Sequence, residues 1–314
     1  IMAYLLCKLN FTTPVHFGVS MGGNSLNDGQ MVIHADTLFS ALCCEGAKFG
    51  KLEQLVNYFA EDVLSISDTF PYNQEDLFLP KPVLFLTNNR QEGDPGLKKE
   101  LKSLVYIPLS LFKDYLQGLK CAQPNLGRMK ATFGQLTTVT KVAIKGQSTP
   151  LPYHVATWSF LPGCGLYLIV RSEDEEALDL LKELLATLGL SGIGGKTSTG
   201  LGKFTLETCP CPETLLSFLE DQAAEYQMLL GTALPEDAEL EASLTGSWYT
   251  TIRRGGFIRS ATYATGQLKK KTIYMLAPGS CFRHRFRGGI FDLADGGTHP
   301  VWRLGKTLFM GVRV

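Results

Sequence analysis

The chain has 314 residues, 45% of them hydrophobic, and its 30 basic and 30 acidic side chains give a formal net charge of zero. This length and apolar content predict a globular protein with enough core for two domains of ordinary size. No apolar run approaches membrane-spanning length, which excludes a spanning helix, and the first strand has no signal-peptide organisation, so a soluble, cytoplasmic protein is expected.

The charges are segregated along the sequence although they cancel in total. No acidic residue occurs between Asp114 and Glu173, and no Lys or Arg occurs from residue 204 to residue 241. After Glu241 the basic residues return and face only two aspartates. A protein that binds free RNA is usually basic overall, so the neutral total predicts that any polyanion is held locally by the basic segments.

The cysteines give no sign of a metal site. Eight of them are scattered through the chain without a C-x-x-C pair or a matching histidine cluster, so neither zinc nor another cofactor is expected. Cys43 and Cys44 are adjacent within an apolar helical pattern, which indicates buried free thiols in a reducing compartment rather than a disulfide framework.

The first elements follow from simple periodicity. Residues 3–11 alternate between apolar and polar side chains, which predicts a half-buried strand, and a Gly- and Asn-rich loop follows at 16–29. Leu38, Phe39, Leu42 and Cys43 mark the buried stripe of a helix that continues to about Lys48. Further elements predicted before residue 120 are a helix at 51–60, a strand at 64–70, an edge strand at 78–86 containing Pro80 and Pro82, and helical pieces at 97–104 and 107–119.

His34 stands at the start of the first predicted helix and allows two interpretations. Its imidazole can act as a general base or as a donor to an RNA phosphate. It can also cap the helix or pack beside Asp36, which is the commoner role for a lone histidine at such a position.

A long insertion is predicted at residues 120–162, which lack acidic side chains and contain many loop-forming Pro and Gly residues. Residues 137–144 and 153–160 can form the arms of a hairpin with its tip at 145–152. Tyr153, His154 and Trp158 on a basic protruding ribbon suit contact with an RNA backbone and stacking with bases. The alternative is a surface loop without a partner.

A strand, a helix and a second strand follow the insertion. The strand is predicted at 165–171, Ser172 and Glu175 form a predicted capping box, and leucines at helical spacing carry the helix to Gly189 as its C′ residue. A strand at 204–208 completes an order that fits the second half of a ferredoxin-like unit. Downstream, the sequence predicts an acidic amphipathic helix at 212–230 and strands at 247–253, 255–260, 272–276 and 304–312.

The loop at residues 189–203, the glycine loop below, is the most unusual stretch of the chain. Lys196, Lys203 and the hydroxyl side chains of Thr197, Ser198 and Thr199 occur there together with Gly189, Gly192, Gly194, Gly195, Gly200 and Gly202. Glycines at this density let backbone amides face a phosphate without interference from Cβ atoms.

Two known phosphate loops each fail here by one residue. The pattern G-x-x-x-x-G-K-[ST] needs glycine where the chain has Leu190, and G-x-G-x-x-G needs glycine where it has Thr197. Both motifs also open a helix, whereas this loop leaves one and enters a strand. Such a loop suits an extended phosphate chain, which favours a polynucleotide over a mononucleotide; the alternative is a plain flexible turn at a helix exit.

Several stretches, in order along nearly the whole chain, carry a resemblance to a known family. They are His34-Ala-Asp-Thr-Leu-Phe-Ser-Ala-Leu42, Leu79-Pro-Lys-Pro82, Lys141-Val-Ala-Ile144 with Tyr153-His154, the glycine loop, Gly256-Phe-Ile258, Lys270-Lys271 with Tyr274-Met275, Ala277-Pro-Gly-Ser-Cys-Phe282 and His299-Pro-Val-Trp-Arg-Leu-Gly-Lys306. With these the sequence resembles the repeat-associated mysterious protein (RAMP) superfamily of CRISPR systems. It is most similar to the Csm-type subunit that caps the 5′ end of the guide RNA in type III-A effector complexes.

The resemblance implies an α+β fold of two ferredoxin-like (RRM-like) halves, residues 1–208 and 209–314. The first half would carry a thumb-like β-hairpin insertion at about 120–162 and the glycine-rich loop at 189–203. The implied partners are the 5′ handle of the guide RNA (crRNA), target RNA near the thumb, the large polymerase-like Cas subunit and the backbone RAMP subunit, without a membrane. No catalytic residue is implied, because Asp28 lacks the surroundings of the aspartate with which backbone subunits cleave their target.

The resemblance also assigns classes of RNA contact to positions in this sequence. Handle contacts are expected from His16, Gly18, His34, Gly194, Gly195, Lys196, Thr197, Ser198 and Thr199, further phosphate contacts from Arg253, Arg254 and Lys271, and thumb contacts from Lys141, Lys145, Tyr153 and His154. The alternative function is a metal-independent CRISPR-repeat endoribonuclease in which His34 is the general base and Lys196 stabilises the transition state.

Overall fold

The computed structural model describes residues 3–18, 26–84, 99, 103–118, 129–143, 151–260 and 262–314. Within this part of the chain the protein has a mixed α+β fold with antiparallel sheets. None of the described helices combines the length and the hydropathy that a transmembrane segment requires.

The described elements are a set of strands with a few helices between them. The strands are β1 (Ala3–Phe11), β2 (Leu64–Ile66), β3 (Phe70–Asn73), β4 (Asp76–Pro80), β5 (Tyr106–Pro108), β6 (Gly134–Ala143), β7 (Leu151–Phe160), β8 (Cys164–Ser172), β9 (Phe204–Pro210), β10 (Tyr226–Leu229), β11 (Thr251–Arg254), β12 (Ile273–Leu276), β13 (Cys281–Phe282), β14 (Ile290–Asp292), β15 (Trp302–Leu304) and β16 (Phe309–Val312). The helices are α1 (Ala35–Lys48), α2 (Leu52–Ala60), α3 (Phe112–Gly118), α4 (Glu175–Ser191), α5 (Glu213–Leu219) and α6 (Asp237–Leu244), with 3-10 turns at Leu109–Leu111 and Thr197–Thr199.

The largest sheet has the strand order β5-β4-β3-β8-β1-β9, and β2 also pairs with β8. The chain starts this sheet at β1 and returns to it after α1 and α2 as β2 and β3. It returns again as β8 and β9, which flank β1 and are joined by α4. The glycine loop therefore lies at one end of the sheet, between α4 and β9.

Both faces of this sheet are covered, because successive side chains of a strand point to opposite sides. Cys7 and Leu168 belong to the face that packs against α1, α2 and α4. Leu6 and Tyr167 belong to the other face, which packs against α3, α5, β10 and β16. A nucleic acid can therefore reach the loops and edges of the sheet, but not its faces.

The C-terminal part of the chain forms smaller sheets. The strands β13-β10-β16 form one sheet, while β11 with β12 and β14 with β15 form two-stranded ribbons. The structure thus does not confirm a second ferredoxin-like half. Met228 and Met310 share a core cluster with Leu6 and Tyr167, so the two parts of the chain pack around a common core.

Several predicted elements are wrong in type or place. The helix predicted at 212–230 ends at Leu219, and Tyr226–Leu229 instead forms β10, which is buried between β13 and β16. The strand predicted at the sheet edge, β4, pairs with both β3 and β5. The strand predicted at 64–70 is divided into β2 and β3, the helical piece at 107–119 begins as β5, and most of the piece at 97–104 lies outside the described residues.

The ends of α4 also differ from the prediction. Asp174 is its N-cap and accepts a hydrogen bond from the Ala177 amide at 3.0 Å, while Ser172 belongs to β8. The helix continues past Gly189 to Ser191. Gly189 is required inside the helix, because a Cβ there would overlap the carbonyl oxygen of Phe204 in β9.

A buried ion cluster joins α1 to the C-terminal ribbons. Asp36, which is 0% exposed, accepts hydrogen bonds from Nε and Nη2 of Arg254 at 3.0 and 2.8 Å and also pairs with Arg303. Arg254 lies in β11 and Arg303 in β15. This cluster fixes both ribbons against the start of α1.

A second polar cluster lies at the N-terminus of α1. The Asp68 carboxylate accepts hydrogen bonds from the amides of Ala35 and Thr232 at 2.7 and 2.9 Å. Its other oxygen lies 2.5 Å from Nδ1 of His34. Asp68 thus connects the helix to the segment that follows β10.

Candidate nucleic-acid interface

The glycine loop is closed at its base by backbone hydrogen bonds. The Ile193 amide donates to the Gly202 carbonyl at 2.9 Å, and the Gly202 amide donates to the Pro14 carbonyl at 2.9 Å. Gly192, which is the C-cap of α4, and Gly202 have φ values of 84° and 78°, a region that favours glycine. The loop is therefore a hydrogen-bonded structure built on the segment after β1, and not an open turn.

His16 supports the loop from within that segment. The Gly195 amide donates to the His16 carbonyl at 2.8 Å, and a Cβ on Gly195 would lie 2.5 Å from the His16 ring. The ring is buried, with Nδ1 2.7 Å from the Ala156 carbonyl oxygen in β7. Because a carbonyl oxygen only accepts, Nδ1 carries the proton. His16 thus positions the loop against β7.

The outer part of the loop presents hydroxyl and cationic groups. Lys196 has a left-handed backbone with φ of 61°, and the turn Thr197–Thr199 follows it directly. The Thr199 hydroxyl donates to the Lys196 carbonyl at 2.8 Å, which fixes the turn. Ser198 and Thr199 are exposed.

The predicted hairpin arms pair as β6 and β7 and contact this turn. Lys141 lies directly opposite Tyr153 in the register. Nζ of Lys141 donates to Oγ1 of Thr199 at 3.1 Å, and Nζ of Lys196 lies 4.7 Å from the centre of the Tyr153 ring. The structure therefore brings these predicted residues of the loop and the hairpin together. Lys145, in the predicted tip, lies outside the described residues.

Arg259 adds a third cation that the sequence analysis did not assign to the site. Its Nη2 donates to Oγ1 of Thr197 at 3.1 Å. Its only signal in the sequence is its place in the basic block after Glu241, since no local pattern connects residues so far apart.

Three predicted RNA contacts are buried in the fold: His16, described above, His34 and Arg254. His34 and Arg254 are each 6% exposed and are bonded to Asp68 and Asp36. Little of their surface is therefore open to a phosphate. Trp158, predicted to stack with bases, packs beside Phe160 against the core below β7.

The remaining predicted residues are exposed but make no described contact with the glycine loop. Gly18 follows the segment under the loop, and His154 pairs with Thr140 on the opposite face of the hairpin from Tyr153. Arg253 is exposed in β11, and Lys271 is exposed just before β12. The structure thus places the predicted residues on more than one surface.

Three carboxylates of the acidic segment have partners away from this surface. Asp221 binds Arg313 at 2.6 Å and Glu225 lies 3.2 Å from Arg283. Glu239 accepts a hydrogen bond from the Arg287 amide at 2.8 Å. These carboxylates thus contact arginines of the C-terminal block rather than the cations around the glycine loop.

The donor set of the site suits an anion. Lysine, arginine, hydroxyl and amide groups all bind phosphate oxygens. Across the described ranges, no group of three or more His, Cys, Asp or Glu side chains has the arrangement of a metal site.

Comparison with known proteins identifies the family. A protein of Mycobacterium tuberculosis (strain CDC 1551 / Oshkosh), described as CRISPR system Cms protein Csm4, is 35% identical over 292 residues, which cover 93% of this chain and 93% of its own. This chain belongs to the Csm4 family. A Csm4 protein of Streptococcus thermophilus is 32% identical over 321 residues and covers 100% of both chains. A family model described as the CRISPR Csm4 C-terminal domain matches residues 222–312.

Solved structures that contain Csm4 have the same fold. A chain in the Csm3-Csm4 subcomplex of the type III-A CRISPR-Cas interference complex matches with a TM-score of 0.68 and 19% identity, over 99% of this chain and 100% of that chain. A chain in the Csm1-Csm4 cassette with cA4 matches with a TM-score of 0.59 and 20% identity, over 100% of this chain and 99% of that chain. Membership of the Csm4 family assigns the protein to a type III CRISPR effector complex and confirms the resemblance found in the sequence.

Proposed function

We propose that this Csm4-family chain holds the 5′ handle of the crRNA on the glycine loop and joins the large subunit to the backbone subunit, without cleaving RNA itself. The observation that carries the proposal is the convergence of Lys141, Lys196 and Arg259 around the turn Thr197–Thr199. Three cations next to exposed hydroxyls form a site for successive phosphates rather than for one triphosphate.

The hairpin gives this surface a second kind of contact. Tyr153 offers a ring beside the cations, and aromatic rings stack with bases of any sequence. Towards the tip, Val142 and Leu151 are 50% and 54% exposed, although apolar side chains of this size are usually buried. This apolar end suits the predicted position of target RNA near the thumb.

The protein partners follow from the family. Solved structures similar to this chain are named as the Csm3-Csm4 subcomplex and the Csm1-Csm4 cassette, and we assign the same two kinds of partner to this chain. The first part of the chain is proposed to be a ferredoxin-like unit, supported by the order of β3, β8, β1 and β9 with α1 and α4 as the crossing helices.

The nuclease alternative has less support from the geometry. Its general base, His34, is buried and bonded to Asp68, while Lys196 contacts Tyr153 in the hairpin. A general base must reach the proton it removes, and it acts together with the group that stabilises the transition state. No described contact connects His34 with Lys196.

Replacing both Lys196 and Ser198 with alanine is expected to weaken binding of handle RNA by roughly 10- to 100-fold, because hydrogen bonds to charged groups contribute the most. The dependence of affinity on salt should also fall by about 0.7 in log-log slope for each phosphate that the variant no longer neutralises. The measurement is binding of a labelled RNA with a CRISPR-repeat 5′ handle, against a scrambled handle, with the intact RNA checked on a gel.

Lys182→Ala is the matched control, because it removes the same charge from the outer face of α4, where Lys182 pairs with Asp179. Its affinity should equal that of the wild type. Cleavage of the repeat RNA that is abolished by His34→Ala would support the nuclease instead, and equal binding of both RNAs by wild type and variant would contradict handle recognition by this loop.

A further inference from the structure

The strands β11 and β12 are part of a longer ribbon, called the C-terminal ribbon here and formed by residues 251–258 and 268–276. Beyond the paired strands, Phe257 bridges Lys269, and the Ile258 amide donates to the Leu268 carbonyl at 2.9 Å. The Lys270 amide donates to the Gly256 carbonyl at 3.0 Å. The antiparallel pairing therefore continues to the end of the ribbon nearest Arg259.

The two faces of the C-terminal ribbon differ sharply. The inner face carries Arg254, Ile258 and Met275, which are all buried. The outer face carries Tyr274 and Phe257, which are 65% and 52% exposed. Exposure of two large rings on one side of a ribbon is unusual for a face that only meets water.

Each exposed ring on the outer face stands next to a cation. Arg253 lies directly opposite Tyr274 in the strand register and is exposed. Nζ of Lys269 lies 5.3 Å from the centre of the Phe257 ring. Exposed aromatic rings with adjacent cations are a combination by which proteins bind single-stranded nucleic acid.

The charged side chains of the C-terminal ribbon are all basic. No Asp or Glu occurs between Glu241 and Asp292, while the ribbon carries Arg253, Lys269 and Lys271 on exposed positions. Burial lowers the pKa of Lys270, between the exposed lysines, to about 8. Aromatic residues and arginine are also common in interfaces between proteins, where lysine is depleted. It is therefore the exposed lysines, together with the absence of nearby carboxylates in the sequence, that favour a polyanion over a protein partner.

The C-terminal ribbon is continuous with the glycine loop. Arg259 directly follows the first strand of the ribbon and donates to Thr197 in the turn of the loop. The outer face of the ribbon can therefore extend the cationic surface of the loop in one direction.

We propose that the outer face of the C-terminal ribbon is a second binding site for single-stranded RNA, on which bases stack against Tyr274 and Phe257 and phosphates bind Arg253 and Lys269. The site takes the nucleotides that leave the glycine loop past Arg259. This proposal rests on the proposed function, because the RNA must first be bound at the loop.

The first test compares single-stranded RNAs of increasing length that share the handle, bound to the full chain. Phe257→Ala combined with Tyr274→Ala should leave binding of the shortest RNA unchanged and weaken binding of longer RNAs by roughly 5- to 100-fold for each base that stacks. Phe49→Ala is the control, because it removes an equally exposed ring, 53% exposed, at the end of α1. Both changes are on the surface, and equal melting temperatures check that the fold is kept.

The second test places 5-iodouridine at each position of the guide in the reconstituted effector complex and maps the photocrosslinks. Crosslinks to Tyr274 or Phe257 are expected from positions next to those that crosslink to the glycine loop. Absence of such crosslinks at every position, or a ribbon variant with wild-type affinity at all lengths, overturns the proposal. Loss of a partner subunit from the complex with unchanged RNA binding identifies the ribbon as a protein-docking surface and also overturns it.

The two proposals fail in different ways. If the Lys196→Ala and Ser198→Ala variant still loses handle binding while the ribbon variant does not, only the ribbon proposal is wrong. If neither the chain nor the complex distinguishes the handle from a scrambled RNA, the proposed function itself is wrong.

Discussion

Asp36→Ala is expected to lower the free energy of unfolding by about 3–5 kcal/mol, because it leaves buried charges without their partner. Asp36 is 0% exposed and is the shared acceptor for Arg254 and Arg303. The measurement is urea unfolding of the purified chain, followed by circular dichroism, with the midpoint and the slope compared to the wild type.

The expected loss of stability is large because Asp36 is the main group that neutralises the two guanidinium groups. Burial lowers the pKa of Arg303 to about 10 and also lowers the pKa of Arg254, because a buried guanidinium loses the solvation of its charge. Within the described part of the chain, Nε and Nη2 of Arg303 have no hydrogen-bond partner. Loss of Asp36 therefore removes the main compensation for both charges.

Asp179→Ala is the matched control for this prediction. Its carboxylate pairs with Lys182 at 3.0 Å, but the side chain is 76% exposed, so the expected change is within about 0.5 kcal/mol. A double-mutant cycle with Arg254→Ala should show that the two single losses do not add. A loss below about 1 kcal/mol for Asp36→Ala would contradict the assigned role of the cluster in joining α1 to the ribbons.

The sequence correctly predicted elements that are specified by the pattern of apolar residues within their own segment. The alternation in β1, the buried stripe of α1 and the helix α2 needed only the period of apolar residues, and the structure confirms all three. The segment at 212–230 failed for a non-local reason. Tyr226–Leu229 is fully buried because it pairs with β13 and β16, which lie far away in the sequence.

The parts of the candidate site that have a local signal could also be predicted from the sequence. The glycine loop stood out by composition, and its hairpin partners followed from the acid-free insertion. Arg253 and Arg254 are the same residue type, so the sequence did not show that the first side chain is exposed and the second is buried. Strand alternation would have separated them once the register of β11 was known, whereas the contact of Arg259 with Thr197 depends on tertiary packing alone.

Gly202→Ala is expected to destabilise the glycine loop far more than Gly200→Ala, although both residues have a left-handed backbone, with φ of 78° and 88°. A Cβ on Gly202 would overlap the carbonyl oxygen of Ile193, while a Cβ on Gly200 would meet nothing within 4 Å. The strain of the left-handed backbone, about 1 kcal/mol, is shared by both variants, so their difference isolates the steric contact.

The overlap at Gly202 cannot be relieved by turning a side chain, because the position of a Cβ is fixed by its own backbone and the Ile193 oxygen is a backbone atom. The Gly202 carbonyl accepts from Ile193, and its amide donates to Pro14, so a shift breaks the bonds that close the loop. Overpacking of this kind costs roughly 1–3 kcal/mol beyond the shared strain. Handle RNA should then bind Gly202→Ala at least 10-fold more weakly, whereas Gly200→Ala should bind within about threefold of the wild type. Equal losses of stability and of binding in the two variants would show that the base of the loop can move freely, and that its hydrogen bonds do not hold Lys196 and Thr199 in place.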